Sequence, residues 1–424
     1  MFLFRVIIVF LIVFNMRMPL LYNTVVLSIL LTSAYYLFIR RSFPVSAFLS
    51  KYTVVILAGM AAMMLVCYSV TRFHGEFDYE LVRILFVELL MVFAMIYAYP
   101  LLIDEREADT FEYGIALVCC AYAIQGTVQI AGFLSPAVGD FLISIGPFDS
   151  DMVDERLTDI PFRLHVLTGT PFFGLSCGFG IAFILFFRCL FSENQTFIRG
   201  YKAYIIFGLL FAGSVFTGRT AWVGLAIALA MSVAMMFVKI PKRFWYNVVK
   251  TIVVVPVALF LVYIFLTPAM KKQLKTTVLP FAFEFFYNYE ETREFTTFST
   301  EGLIEDHYYS LPYETIMYGK GKFSNMDKTF YGHTDAGYMR SILFGGIFFA
   351  LCLLIYQALY FLQPLALARE SRDKLNYIFF LTLFAALFVF EYKGIVIGVN
   401  KTYDATFYLM GMAYLAHVTH IADN

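Results

Sequence analysis

Charge is scarce in this chain. Asp, Glu, Lys and Arg make up only 15% of its 424 residues, with 31 acidic and 31 basic side chains in balance. A soluble protein of this size needs far more polar surface than that. With zero formal net charge and no basic block, the composition also argues against a nucleic-acid partner. Cysteine is sparser still. The six cysteines (Cys67, Cys119, Cys120, Cys177, Cys189 and Cys352) lie in apolar stretches with no CxxC or other metal-type spacing, and they read as small core residues. No internal repeat relates the two halves, which counts against many transporter folds. The N-terminal "MFLFRVIIVFLIVF" has the hydrophobicity of a signal peptide without a small-residue cleavage site, and a second apolar stretch follows at once. It is expected to be an uncleaved first helix.

What the chain has in abundance is apolar length: 61% of its residues are hydrophobic and its mean hydropathy is +0.75. Apolar stretches near residues 2–15, 19–39, 52–70, 81–103, 111–134, 166–187, 201–217, 220–238, 247–267, 340–362, 375–391 and 403–419 predict an all-α polytopic integral membrane protein with about twelve transmembrane helices. Residues 1–424 are read as one membrane domain. Alternate short connections carry most of the Lys and Arg, among them Arg40, Arg41, Arg188, Lys242, Arg243, Arg369 and Arg372. The other set holds only Arg17, Arg72, Arg219 and Lys393. By the positive-inside rule both termini are expected in the cytoplasm.

Two connections on the opposite, outer side are long. One spans 135–165. The other, 268–339 between the ninth and tenth helices, is far longer than ordinary helix–helix connections. It is neither low-complexity nor Gly/Ser-rich, and aromatic runs such as "LPFAFEFFYNYEETREF" predict a cap folded on the bundle. Its tyrosines and phenylalanines suit sugar stacking as well as a small apolar core.

Candidate chemistry gathers on that outer side. Arg219, in "FTGRTAWVGLAIAL", sits in a hairpin between two apolar stretches. It either anchors the hairpin by snorkelling or presents a planar donor fork to a phosphate or diphosphate. Arg163 precedes the sixth helix in "RLHVLTGTPFFG". The stretch "YGKGKFSNMDKTFYGHTDAGYMRSILFGGI" gathers Lys320, Lys322, Tyr331, His333, Asp335, Tyr338 and Arg340 at a membrane boundary. His333 is the one histidine of six in such company, and an imidazole can take a proton from a sugar hydroxyl; a loop histidine bonded to nearby backbone is the plainer reading. Arg340 serves equally as a helix-end anchor. Glu80 and Arg83 are spaced to pair on one helix face. Glu88 lies deeper, where an ionisable group is a functional candidate by default. Glu391 and Lys393 fall at the outer end of the eleventh helix, to pair or to line a cavity.

These segments resemble the bacterial O-antigen polymerase family, within the O-antigen polymerase and ligase superfamily. "TGRTAWVG" is similar to its "GSRTA"-like hairpin, and "GKGKF…YGHTDAGYMRSILFGGI" to its late motif, where a Gly-x-Gly turn and a histidine precede a glycine-rich helix start. Arg163 and Gly174 supply the two ends of its Arg-x10-Gly pattern; the long loop has no second copy, since Arg293 is followed at that spacing by Ile304 and Arg340 by Leu351.

The resemblance implies a GT-C-like architecture in the bacterial inner membrane, with the long loops in the periplasm. It implies a glycosyltransferase that moves an undecaprenyl-diphosphate-linked glycan onto another lipid-linked repeat unit. No cofactor, nucleotide sugar or metal is expected. The implied partners are those repeat units, membrane lipid and a chain-length regulator. The implied roles are His333 as catalytic base, with Arg163, Arg219, Arg340, Lys320, Tyr331 and Asp335 binding diphosphate or glycan. A ligase delivering glycan to a lipid A core, and a lipid-linked glycan flippase or other transporter, remain the alternatives.

Overall fold

The computed structural model describes residues 1–18, 21–41, 43, 45–103, 110–145, 167–169, 173–192, 197–198, 200–240, 250, 253–254, 257, 260, 263–293, 297–325, 329–396 and 403–423. Stripped of water, an apolar backbone must satisfy its own amides and carbonyls, and a helix does this within one segment. The apolar stretches accordingly form α1 (Phe2–Phe14), α2 (Thr24–Tyr35), α4 (Lys51–Phe73), α5 (Glu80–Leu102), α6 (Thr110–Leu134), α8 (Phe173–Leu190), α9 (Tyr201–Thr217) and α10 (Thr220–Met236). After the long segment come α16 (Gly337–Glu370), α17 (Lys374–Lys393) and α18 (Tyr403–Asp423). Two shorter helices, α3 (Val45–Leu49) and α7 (Pro136–Ile145), join the first set. Among the described residues, paired strands are limited to β1 (Arg17–Met18) against β2 (Tyr22–Asn23).

Six of the helices, α4, α5, α6, α8, α16 and α17, are long and apolar enough to cross a membrane; α1, α9 and α10 are shorter apolar helices, as is the stretch Thr24–Arg40 that begins with α2. The chain is therefore an all-α protein built to lie in a membrane. The expected stretch 247–267 lies largely outside the described residues. Helix starts follow local caps: Asn23, Ser50 and Asp373 accept the amides of Val26, Thr53 and Asn376.

Two boundaries differ from the sequence expectation. The stretch expected over 166–187 is described as helix over Phe173–Leu190, ending three residues later than expected, and ahead of it Gly169 N–H donates to the Phe14 carbonyl at the end of α1, at 2.6 Å. The tenth stretch, expected over 340–362, extends over Gly337–Glu370 across an internal break at Gly345–Gly346.

Burial ranks the helices. The apolar window of α8 is 83% buried within the protein, that of α4 only 28%, so α8 is central and α4 faces outward. α8 and α10 start side by side, where Ser176 Oγ donates to Gly218 O and accepts from Ala221 N–H, at 2.7 and 2.9 Å. They touch again at Gly180 and Gly224, where the backbones meet directly.

Contacts gather the basic-poor connections at one end of the bundle. Gly169 meets α1 at Phe14, Ser176 meets the α9–α10 hairpin, Gly394 packs on Phe173, and Gly337 packs on Glu391 and Gly394. At the other end, buried Arg188 closes α8 onto α17 through Asn376, at 2.7 Å.

A Cβ added at Gly224 would lie 2.2 Å from Gly180 Cα, whereas one at Gly208 meets nothing within 4 Å. Gly224→Ala is expected to cost about 1–3 kcal/mol through overpacking and to lower the thermal midpoint in detergent. Gly208→Ala, on the neighbouring helix, should leave it unchanged or slightly raised.

Candidate functional site

The site is built on the break in α16. Gly345 and Gly346 leave helical geometry, Gly346 at φ +69°, and the turn before them is left with carbonyls the helix no longer satisfies. The segment Gly319–Gly321 docks there. Lys320 N–H donates to Leu343 O at 2.7 Å, and Gly321 N–H to Phe344 O at 2.8 Å. The fit leaves no room for side chains: a Cβ on Gly319 would lie 2.5 Å from Phe344 O, and one on Gly346 2.2 Å from Met317 O. The two glycine pairs of the sequence are thus halves of one joint.

The connection between α4 and α5 clamps the joint from outside. Asp78 Oδ2 accepts the amides of Phe323 and Ser324, both at 2.7 Å. Glu76 pairs with Lys322 at 3.0 Å, and His74 Nε2 lies 2.8 Å from Tyr318 O. Phe323 and Phe330, held across a short return of the chain, project onto Arg340 in the first turns of α16. The guanidinium carbon is 4.2 Å from one ring centroid and 3.4 Å from the other. Arg340 is only 5% exposed, and its Nη2 has no hydrogen-bond partner. The carboxylates whose fields reach it are Asp335 and Glu391.

Arg219 precedes the first residue of α10. Its guanidinium is ion-paired with Glu284 and lies 5.0 Å above the Phe281 ring. Both partners come from the long segment, whose short helices are α11 (Pro268–Gln273), α12 (Leu279–Ala282), α13 (Glu284–Thr292), α14 (Phe298–Gly302) and α15 (Tyr313–Tyr318). Burial pulls the Arg219 pKa down to about 10, which still leaves it charged at neutral pH. Trp222, one turn on, meets Phe211 edge-on and Phe283 at a tilt, with ring centroids 4.9 and 5.4 Å away.

The remaining sequence candidates divide. Arg163 lies outside the described residues. Lys320 and Asp335 are exposed and Tyr331 is half-buried; each is fixed through its backbone amide, to Leu343 O, His307 Nδ1 and Phe323 O respectively. His333 is exposed, in a left-handed conformation at φ +52°. Among the described contacts its imidazole makes none with Arg219 or Arg340. Two further histidines join the segment around it. His307 comes from far upstream to accept the Asp335 amide at 3.2 Å, while its carbonyl accepts from Thr334 Oγ1. That bond places the ring proton of neutral His307 on Nε2. His74 joins at Tyr318. The fold, not the sequence spacing, brings these two in.

Glu80 and Arg83 pair as expected. Glu391 lines a cavity, with Oε2 accepting the Val396 amide at 2.9 Å. Deeper in the bundle, the Glu88 carboxyl of α5 faces Asp404 of α18, and Asp404 Oδ2 accepts from Tyr356 of α16 at 3.1 Å. Asp404, missed from the sequence, could have been found as a lone acid heading the last apolar stretch. Among the described residues, no three His, Cys, Asp or Glu side chains gather as metal ligands would. No protein-family model matches the chain, and no curated protein matches it significantly.

The Asp78 clamp is open to test. Asp78→Ala removes three charge-assisted hydrogen bonds, those from the Phe323, Ser324 and Glu80 amides, a loss of about 1.5–3 kcal/mol each. Hydrogen exchange at Phe323 and Ser324 should accelerate by at least tenfold, while amides in central α8 keep wild-type protection.

Proposed function

We propose that the protein is an O-antigen-type glycan polymerase, which transfers a polyprenyl-diphosphate-linked glycan onto another lipid-linked repeat unit. The observation that carries the reading is Arg340: a buried guanidinium with its faces on two aromatic rings and a donor left unbonded, at the bundle end that also holds Arg219. A fork of fixed donors at a membrane boundary suits the diphosphate, whose charge grows as it leaves. The N-terminal ends of α8, α10 and α16 converge there and add their positive dipole ends. His333, exposed on the turn leading into α16, is the proposed base for the acceptor hydroxyl. His307 offers Nε2–H as a donor beside the same segment. Lys320, Tyr331 and Asp335 are proposed to contact glycan, and Arg163 to complete the cationic set.

The proposal takes with it the finer topology: about twelve spans in a bacterial inner membrane, both termini cytoplasmic and the 268–339 segment periplasmic. It also requires motion. Glu284 occupies Arg219, and Phe323 and Phe330 cover Arg340. An anionic donor must displace a carboxylate at one arginine and shift rings at the other.

A second reading, a lipid-linked glycan transporter, draws on the acids buried in three helices: Glu88, Glu391 and Asp404. The ligase reading shares the polymerase's donor chemistry and differs in acceptor.

Purified protein in liposomes with lipid-linked repeat units decides among them. The polymerase lengthens the glycan without nucleotide sugar; a ligase acts only when lipid A core is supplied; a transporter moves the units without joining them. For the polymerase, Arg340→Lys should lower turnover on the order of 10²-fold, and His333→Ala by about 10²-fold or more. Glu284→Gln should lower the apparent KM for donor roughly 2- to 5-fold, the size of a partly exposed ion pair. Wild-type turnover in Arg340→Lys at normal protein levels rejects the proposed diphosphate site.

A further inference from the structure

Behind Arg340, between α16 and the end of α17, lies a cavity of about 20 Å³ lined by Tyr338, Ser341, Leu353, Leu354, Gln357 and Glu391, among others. Three of its side chains are almost wholly buried, with Gln357 at 0% and Ser341 and Glu391 at 2% exposure. Each carries polar atoms without a hydrogen bond: Ser341 Oγ, Gln357 Nε2 and Oε1, and Glu391 Oε1. The Gln357 amide faces the Glu391 carboxylate without reaching hydrogen-bond geometry. Glu391 Oε2 is engaged by the Val396 amide, so its other oxygen is the one left over.

The helix break makes this arrangement. In a straight helix, at about 1.5 Å per residue, Ser341 and Gln357 would stand roughly 24 Å apart and could not border one small cavity. The departure from helix at Gly345–Gly346 folds the first turns of α16 back so that they do.

We propose that this cavity is a hydration site holding one water molecule, which accepts from Gln357 Nε2 and Ser341 Oγ and donates to Glu391 Oε1 and Gln357 Oε1. The fit is quantitative. A water needs about 10–15 Å³ and two to four polar partners, and both are present. Water inserted at a kink is a recognised cause of one. A hard cation is a poorer occupant: three side-chain oxygens fall short of the roughly six such ions take, and the Gln357 donors would oppose it. The water would tie the broken start of α16, with Arg340, to the α17 end, independently of the catalytic reading.

The molecule contains its own control. A neighbouring cavity of about 10 Å³ is lined by Met63, Cys67, Leu81, Leu85, Phe349, Leu353 and Ile395. It offers no polar partner and is expected to be dry.

X-ray radiolytic labelling of the full chain in lipid nanodiscs, with a bulk radical scavenger, reads bound water through oxygen added to its neighbours. Label is expected on the Leu353–Leu354 peptide and absent from Met63 and Cys67, although their sulfur is the more reactive. Gln357→Leu should abolish that label, and Ser341→Ala should at least halve it if Gln357→Leu does not fold. An unlabelled wild type overturns the proposal, as does label that survives both substitutions. A thermal midpoint that depends on exchanging sodium for choline assigns the cavity to an ion and overturns it too.

Discussion

A carbonyl set free by a broken helix in an apolar bundle needs another donor, and this constraint organises the functional end of the protein. The break in α16 leaves Leu343 and Phe344 with oxygens that must be satisfied by other backbone. Lys320 and Gly321 supply the amides. Everything near Arg340 descends from that exchange. Docking Gly319–Gly321 delivers Phe323 and Phe330 to the guanidinium, brings Lys322 within reach of Glu76, and places two amides where Asp78 can accept them. The same break creates the polar cavity behind Arg340. One irregularity in one helix therefore fixes a loop, a stacked cation and a cavity together.

Arg219 shows how a costly residue is kept. A buried guanidinium needs a partner, and here the partner is Glu284 from the long segment, with Phe281 beneath the plane. The sequence offered two roles for this residue, hairpin anchor or anion ligand. The pairing joins them, because a carboxylate held against Arg219 is chemically a stand-in for the phosphate proposed to bind there. Holding the segment down and holding a substrate become competing uses of one fork. Arg340 differs in kind: its cover is aromatic, so an incoming anion has rings to move but no charge to displace.

Much of this was legible in residue order. Apolar stretches of membrane length separated by charged connections gave the helices, and the uneven Lys and Arg content sorted those connections into two sets before any contact was known. "GKGKF" and "LFGG" could be flagged as glycine-rich, but not as two halves of one joint, since pairing residues so far apart depends on where the helix breaks. His307 and Asp78 were invisible for the same reason. Neither has a telling neighbour in sequence, and each acquires its role only when a distant connection folds against 318–335. Asp404 was missed because an acid at the head of an apolar stretch looks like an ordinary helix start until Glu88 is found opposite it.

The buried acids bear on whether material passes through the bundle or is handled at its end. Asp404 Oδ2 accepts from Tyr356, so the hydroxyl contact between Tyr356 and Tyr360 must be donated by Tyr360. Asp404 then accepts at the end of a one-way chain of hydroxyls, with the Glu88 carboxyl of α5 facing it. Two neighbouring buried acids are far cheaper to bury with a proton between them than as two charges, and the Tyr356–Asp404 bond ties α16 to α18 beside Glu88 of α5. Two cavities bordering α16 among the described residues hold about 10 and 20 Å³, room for a water and nothing like a sugar. A transporter would have to part three helices meeting at this network to admit a glycan. The proposed chemistry at the bundle end asks only that Glu284 and two phenylalanine rings give way, and the size of the required motion favours the proposed polymerase over a transporter.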